Sequence, residues 1–245
     1  MEINKNTKLV LKDVHLYDIE SCHYSIMQNL GLDLSGVNRE DKTERNIQIG
    51  KMMRKNPKLT SLLRNTTKAI IDEYIRVNEL TDDDIILRQY DGILVYKKVL
   101  RVTDLKGIPL NIRKEFLVFI SSIDRRKYIA LDREMKVTIK GLPYRYDAMD
   151  NIYEKICRIV DSGRKETIFR KLQELKDYIM TTRDSKLFGI PVDDKKFNIF
   201  LKGYGQVEVT KATLKIMDPT DIDRDRYFDF YISPFTKSIV VEFVR

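Results

Sequence analysis

The chain has 245 residues, of which 42% are hydrophobic, and this is sufficient for a packed core in a globular protein. The sequence contains neither a membrane-spanning apolar run nor a signal-peptide core, so we expect a cytoplasmic protein without a membrane partner. Two distant cysteines, Cys22 and Cys157, indicate a reducing compartment and argue against a disulfide framework or a structural zinc site. The 45 basic residues exceed the 37 acidic residues, and the net charge of +8 permits a polyanionic partner without requiring one.

The first part of the chain predicts one strand followed by helices. Residues 8–18 alternate between apolar and polar positions and are rich in β-branched and aromatic side chains, which predicts a half-buried strand that ends at Asp18. A short helix is expected over residues 21–30. A longer helical pattern begins at Lys42, and Pro57 interrupts it. The next helix is expected to bury one face, formed by Leu62, Leu63, Thr66, Ala69, Ile70, Glu73 and Tyr74.

A β-hairpin signal lies near the middle of the chain. Two β-rich runs, IILRQY and ILVYKKVLRV, meet at Asp91-Gly92. An Asp-Gly pair between such runs is the strongest short-range hairpin signal, so the two runs are expected to pair antiparallel.

The second half continues with strands, then helices, then a further β-type region. Strand patterns cover residues 116–123, 127–132 and 136–142. Helical periodicity over residues 148–160 and 166–180, separated by Ser162-Gly163, predicts a helical hairpin. From Phe188 to the end the pattern is β-type again. This order of elements indicates an α+β fold.

Two carboxylates mark the ends of predicted strands. Asp18 ends the first strand and Asp91 lies at the tip of the hairpin, so a sheet with these strands side by side would bring the carboxylates together. Carboxylate oxygens are ligands for Mg²⁺, and two such ions can clamp the attacking and leaving oxygens of a phosphoryl transfer. The alternative is that Asp91 serves only the backbone geometry of the turn.

The residues around both aspartates resemble motifs of family B DNA polymerases. The segment DIESCHYSI from Asp18 to Ile26 resembles their D-x-x-S-L-Y-P-S-I motif A. Lys42, Asn46 and Gly50 keep the K-x-x-x-N-S-x-Y-G spacing of motif B. The hairpin segment DGILV resembles the second half of the Y-G-D-T-D-S-V motif C. The motifs follow the family's order along the chain.

Two further segments extend the resemblance, which covers roughly residues 12–165. RRKYIALD, from Arg125 to Asp132, resembles the K-K-K-Y element, and residues 139–147 resemble the K-G-x-x-x-x-R-x-D stretch that enters the thumb. The resemblance implies a polymerase-type palm with an antiparallel sheet and a central β-hairpin over residues 1–147, including strongly reduced fingers at about 31–60. It further implies a small helical thumb-like hairpin at 148–187, and the remaining residues, 188–245, are expected to form a C-terminal β-rich module.

By this resemblance, each motif residue takes a role in template-directed nucleotidyl transfer. Asp18 and Asp91 would be the catalytic ligands of Mg²⁺, or of Mn²⁺. A nucleoside triphosphate would be bound by Ser21, His23, Lys42 and Asn46. A primer-template would be held through its phosphates, which basic groups and hydroxyls bind without reading sequence, by Arg125, Arg126, Lys127, Tyr128, Lys140 and Arg145.

The sequence also departs from the family pattern. Gln89 replaces the first aspartate of motif C, and His23 takes the place of the tyrosine that stacks under the sugar of the nucleotide. Only a short segment separates Asp18 from Lys42. We therefore expect either a miniature polymerase with vestigial fingers and no exonuclease, or one piece of a split polymerase whose other subunits supply fingers or an exonuclease. The alternative is a catalytically silent, polymerase-like subunit that binds nucleic acid or completes a partner. The hairpin also resembles the Y-x-D-D element of reverse transcriptases, but Gly92 stands where that family has its second aspartate.

Overall fold

The computed structural model describes residues 3–142, 147–192 and 195–244, and it is an α+β structure with antiparallel strand pairs, as predicted. The chain divides into two compact units. The inserted unit is Val14–Glu115, and the flanking unit combines Met1–Asp13 with Phe116–Arg245. No helix in the described part of the chain is long and apolar enough to cross a membrane.

The inserted unit packs three helices with a small sheet. Its helices are α1 (Cys22–Asn29), α2 (Lys42–Lys55) and α3 (Pro57–Val77). Its strands are β1 (Val10–Ile19), β2 (Ile85–Arg88), β3 (Gly92–Tyr96), β4 (Asp104–Leu105) and β5 (Ile108–Ser121). In the sheet they follow the order β2–β3–β1–β5, and the short β4 pairs with β5. Strand β3 pairs antiparallel with both β1 and β2. Strands β1 and β5 are long, and part of each belongs to the flanking unit.

Local sequence explains where α2 and α3 begin. The Asp41 carboxylate accepts hydrogen bonds from the backbone N–H groups of Thr43 and Glu44, which caps α2. Pro57 does not merely end a helix but begins α3, where its missing N–H is not required, and Asn56 caps this start.

The buried face of α3 differs from the predicted face by a small rotation. Leu63 and Tyr74 are buried as expected, but Leu62 is 44% exposed and Ala69 is exposed. The other buried positions are Thr67, Ile71 and Ile75. The Tyr74 hydroxyl donates a hydrogen bond to the backbone carbonyl of Ile108, and this contact with β5 fixes the rotation of the helix in a way that periodicity alone does not encode.

The flanking unit packs a second antiparallel sheet region against helices. Strands β6 (Tyr128–Asp132) and β7 (Val137–Lys140) follow β5, and a three-stranded sheet contains β8 (Ile190–Pro191), β9 (Lys196–Leu201) and β10 (Gly205–Thr210). Its helices are α4 (Asp147–Ser162), α5 (Lys165–Thr181), α6 (Lys211–Ile216), α7 (Arg224–Tyr227) and α8 (Ser233–Val244). A π-helical turn, Phe228–Ile232, joins α7 to α8.

The prediction of a β-rich module over residues 188–245 is wrong in its second half, which is helical from α6 onward. Residues 227–244 are rich in aromatic and β-branched side chains, which favour strands as isolated residues. Tyr227, Tyr231, Phe235 and Ile239 nevertheless recur every four residues, and all four are buried. Burial of this stripe in the core outweighs the local β preference, because tertiary packing overrides propensity.

The boundaries of the units differ from the three-part division expected from the sequence. Side chains from α4, α5, β6, β9 and α8 share a single hydrophobic cluster, which includes Ile156, Leu172, Ile129, Ile199 and Phe235. The helical hairpin and the C-terminal region therefore belong to one unit and have a common core.

Candidate active site

Strand pairing brings the segments of the two predicted catalytic carboxylates together in the inserted unit. Asp18 on β1 lies opposite Gly92 on β3, so Asp91 is the residue immediately before this pair. The Ile19 N–H donates a 2.7 Å hydrogen bond to the Asp91 carbonyl, which continues the pairing to the turn. The backbone N–H of Gln89 donates a 2.9 Å hydrogen bond to the Gly92 carbonyl and helps to close the turn.

Gly92 permits the close approach of β3 to β1 beside Asp18. A Cβ atom at this position would lie 2.3 Å from the Tyr17 carbonyl oxygen and 3.0 Å from Asp18 Oδ1. The contact at 2.3 Å is shorter than real Cβ atoms show, so any side chain here would require the backbone to shift. The glycine is thus required by the geometry that places Asp91 next to the end of β1.

Asp18 has an environment of mixed charge. Its carboxylate accepts a hydrogen bond from the Arg113 guanidinium on β5, and 16% of the Asp18 side chain is exposed. Burial raises the pKa of Asp18, the hydrogen bond from Arg113 opposes this shift, and the charge of Asp91 raises the pKa further. The two aspartates are therefore close enough to repel each other. Arg113 was not identified from the sequence, because its contact with Asp18 arises only when β5 lies beside β1.

His23 belongs to a polar cluster that links the helix after β1 to the β2–β3 turn. Its Nε2 atom shares a 3.0 Å hydrogen bond with the Tyr90 hydroxyl. Thr67 on α3 donates its hydroxyl to the Leu63 carbonyl at 2.8 Å, and its Oγ1 lies 3.5 Å from the Cys22 sulfur. Burial lowers the pKa of His23 and raises the pKa of the Cys22 thiol to about 11. Burial thus disfavours the charged form of His23, and the hydrogen bond with Tyr90 orients its ring.

Ser21 contacts Arg45, a cation that the sequence motifs did not identify. Its hydroxyl accepts a 2.8 Å hydrogen bond from Arg45 on α2, and the same guanidinium lies 5.5 Å from the centre of the Tyr24 ring. Arg45 Nε is buried and has no hydrogen-bond partner among the described residues. Arg45 directly precedes Asn46 on α2. This position could have indicated that Arg45 lies close to the predicted nucleotide-binding residues.

Lys42 and Asn46 lie one turn apart near the start of α2, and both side chains are exposed. The charge of Lys42 acts on Asp18, where it partly offsets the rise in pKa that burial and Asp91 cause. Asn46 lines a groove between α2 and α3. Lys42 and Asp18 thus lie within electrostatic reach of each other.

The predicted primer-binding residues belong to the flanking unit and fall into two groups. Arg126 and Lys140 are exposed, and Lys127 is half-buried with its Nζ 5.0 Å from the centre of the Phe230 ring. Arg125 instead donates hydrogen bonds to the backbone carbonyls of Thr7 and Lys8.

Tyr128 is fully buried against Phe119, and its hydroxyl has no hydrogen-bond partner within the described ranges. Burial raises the pKa of Tyr128 to about 12. In this structure the hydroxyl does not reach the surface. Arg145 lies outside the described residues.

The donor chemistry of the Asp18–Asp91 pair suits a small divalent cation. Carboxylate oxygens are hard ligands, and the mutual repulsion recorded in the pKa of Asp18 is what a divalent cation would relieve. Within residues 3–142, 147–192 and 195–244, no group of three or more His, Cys, Asp or Glu residues is arranged to hold a metal ion. Two carboxylates plus substrate phosphates are a sufficient set for Mg²⁺.

Comparison with known proteins agrees with the fold class. The fold is similar to that of the family B DNA polymerase from the hyperthermophilic archaeon Pyrobaculum calidifontis, with a TM-score of 0.50 and 11% sequence identity. The match covers 95% of this chain and 45% of that polymerase chain, so this chain spans less than half of its length. No curated protein matches the sequence. The profile of the bacteriophage PBS1 gene 130 protein family matches residues 3–206, and the chain belongs to this family.

Proposed function

We propose that the chain catalyses template-directed nucleotidyl transfer at Asp18 and Asp91. In this reaction the 3′-hydroxyl of a primer attacks the α-phosphate of a nucleoside triphosphate, a new P–O bond forms, the hydroxyl proton is lost, and pyrophosphate leaves. The pairing of Asp18 with Gly92, which brings the Asp91 charge close to Asp18, is the observation that carries the proposal. The similarity in fold to a family B DNA polymerase supports it.

Asp18 and Asp91 are the residues that would hold Mg²⁺ or Mn²⁺ together with phosphate oxygens of the substrate. When bound, the metal would neutralise charge that develops on the phosphoryl group and on the leaving pyrophosphate. The protein's own contribution is to fix the two carboxylates at the end of β1 and before β3.

The inserted unit would bind the triphosphate beside these carboxylates. Lys42 supplies an exposed cation within electrostatic reach of Asp18, and Asn46 lies one turn further along α2. The Ser21 hydroxyl and His23 complete the set from the start of α1. His23, oriented by Tyr90, would contact the sugar of the nucleotide.

The flanking unit would contact the primer-template through exposed cations. Arg126, Lys127 and Lys140 are the candidates for phosphate contacts, together with Arg145. Arg125 and Tyr128 would support this surface from within the unit. The Arg125 guanidinium binds backbone carbonyls, and the Tyr128 ring packs inside the unit.

A catalytically silent, nucleic-acid-binding subunit is the second candidate. The ion pair of Arg113 with Asp18 favours it, since a guanidinium there neutralises the carboxylate without a metal. Gln89 in place of an aspartate points in the same direction.

Primer extension with Mg²⁺ or Mn²⁺ distinguishes the two candidates. We expect extension by the wild type and a loss of about 10³-fold or more in Asp18→Asn and Asp91→Asn, because each variant loses the charge that a metal needs. Asp83→Asn is the matched control, an exposed carboxylate of the same unit with no role in the proposal. Absence of extension by the wild type, with retained binding of a primer-template, would support the silent subunit instead.

A further inference from the structure

The positive charge of the chain is concentrated on one pair of helices. Between positions 42 and 68, covering α2 and the first half of α3, the sequence has eight Lys or Arg residues and one acidic residue, Glu44. This segment therefore carries +7 of the net charge of +8. Apart from Arg45, which is half-buried, its cations are exposed.

These cations have no carboxylate partners in the described part of the chain. The ion pairs of the inserted unit involve other residues, among them Arg76, Arg88 and Lys98. On α4 and α5, by contrast, Arg158 and Arg170 pair with glutamates one turn away. An unpaired row of cations raises the local potential and attracts a polyanion.

A groove of about 760 Å³ runs between α2 and α3 within this charged region. Its lining combines two arginines with polar and apolar side chains: Asn46, Ile47, Met53, Arg54, Ser61 and Arg64. Arg54 Nε donates to the Gly50 carbonyl at 3.3 Å, which holds this guanidinium at the groove. Ile47 is 50% exposed, so the groove also offers an apolar surface.

The groove adjoins the candidate active site. Burial lowers the pKa of His23, and the charge of Arg64 contributes to the same shift. Burial raises the pKa of Tyr90, and Arg64 opposes that shift. Arg64 therefore lies within electrostatic reach of the His23–Tyr90 pair, while Asn46 belongs both to the groove and to the proposed nucleotide-binding set.

We propose that the α2–α3 groove binds the phosphodiester backbone of a single nucleic-acid strand, with Arg54 and Arg64 as the phosphate-binding residues. Cations and polar side chains suit phosphates, and the apolar surface suits base faces that a duplex hides but a single strand exposes. In the proposed polymerase this strand is the unpaired template, and that detail rests on the proposed function. The binding site itself does not require catalysis.

Fluorescence anisotropy with a labelled oligo(dT) strand tests the site. For single strands, the slope of log K against log salt is about −0.7 for each phosphate neutralised, so Arg54→Gln/Arg64→Gln should reduce the slope by about 1.4 between roughly 50 and 200 mM salt. The matched control is Lys211→Gln/Lys215→Gln, which removes two exposed lysines from α6 and should keep the wild-type slope. Equal thermal unfolding midpoints show that both variants fold.

Site-directed crosslinking provides a second measurement. Both natural cysteines, Cys22 and Cys157, are buried, so Ser61→Cys introduces an exposed thiol at the groove. A photoreactive group attached there should crosslink to the strand, whereas the same group at Ala212→Cys on α6 should not.

Several outcomes would overturn the site: an unchanged salt slope in the arginine variant, an equal change in the lysine control, or equal affinity for a blunt duplex. A wild type that binds neither strand nor duplex would also overturn it. A chain that binds single strands through the groove but does not extend primers would refute the proposed reaction and leave this site intact. If the wild type extends primers while the arginine variant binds the strand normally, the groove site is refuted and the proposed reaction is left intact.

Discussion

The Arg113 guanidinium donates a hydrogen bond to the Asp18 carboxylate and forms an ion pair with it. Asp18 comes from the end of β1 and Arg113 from β5, so the contact links two strands of the inserted unit. Because Asp18 is also the residue proposed to hold a divalent cation, Arg113 and the metal would compete for the same carboxylate. The Arg113 side chain is 58% exposed, which leaves it room to move away.

Replacing Arg113 should therefore strengthen metal binding. The pair is partly exposed and contributes about 1 kcal/mol or less, so we expect Arg113→Gln to bind Mn²⁺ about two- to fivefold more tightly. Electron paramagnetic resonance of free Mn²⁺ measures this without any need for catalysis. Arg101→Gln, which changes an exposed arginine of the same unit that has no contact with Asp18, should bind the metal as the wild type does. Weaker binding by Arg113→Gln would show that Arg113 does not compete with the metal.

Gly92→Ala should push β3 away from β1 beside Asp18. The added Cβ would meet the Tyr17 carbonyl at 2.3 Å, so we expect a loss of about 1–3 kcal/mol in the free energy of unfolding, measured with urea. Gly36→Ala is the control, because nothing lies within 4 Å of the Cβ it would add. A neutral Gly92→Ala would mean that the strands adjust without cost.

Protonation of His23 should make the fold less stable in mildly acidic solution. Burial lowers the pKa of His23 from 6.5, so the unfolded chain takes up a proton at a higher pH than the folded chain does. The free energy of unfolding should thus be fully retained above about pH 6.5 and fall as the pH drops below it. Urea midpoints at several pH values between about 5.5 and 8 measure this fall, and His23→Gln should reduce it. An equally steep fall in the variant would exclude His23 as the cause.

The identity of residue 23 should affect sugar selectivity if the chain extends primers. In the resemblance to motif A of family B DNA polymerases, His23 stands at the position of the tyrosine that stacks under the sugar. We expect relaxed or altered ribonucleotide exclusion in the wild type, and a change in the dNTP-to-rNTP incorporation ratio in His23→Tyr. Single-nucleotide incorporation assays measure this ratio. Identical ratios for the two proteins would remove His23 from the sugar contacts.

The helical C-terminal region should be essential for the core of the flanking unit. Phe235 is fully buried and contacts the edge of Tyr153 at a ring-centroid distance of 5.6 Å. Phe235→Ala should cost about 3–5 kcal/mol of unfolding free energy, whereas Val244→Ala, at a residue that is 62% exposed, should cost less than about 0.5. Thermal and urea unfolding test this, and a small loss for Phe235→Ala would contradict the assigned packing.

Much of the inserted unit could be predicted from local sequence. The strand that ends near Asp18, the helix break at Pro57 and the antiparallel pairing of β2 with β3 depend on residues that act on their own backbone, and such signals survive without tertiary context. The turn itself covers residues 89–91, because Gly92 already belongs to β3. The rotation of α3 could not be predicted, because Leu62 and Leu63 are equally apolar and the choice between them depends on tertiary contacts of the helix, such as the hydrogen bond of Tyr74 to β5.

The sequence by itself determined the α+β class, most element positions and the antiparallel pairing of β2 with β3, because these follow from periodicity and turn chemistry over short distances. Only the tertiary structure decided the contacts of residues far apart along the chain. It places Arg113 on Asp18, Tyr90 on His23 and Arg45 on Ser21, and it buries the Tyr128 side chain inside the flanking unit. Residues 227–244 also become helical in the tertiary structure. Burial of a stripe of side chains spaced four residues apart contributes more free energy in that core than the local β propensity does.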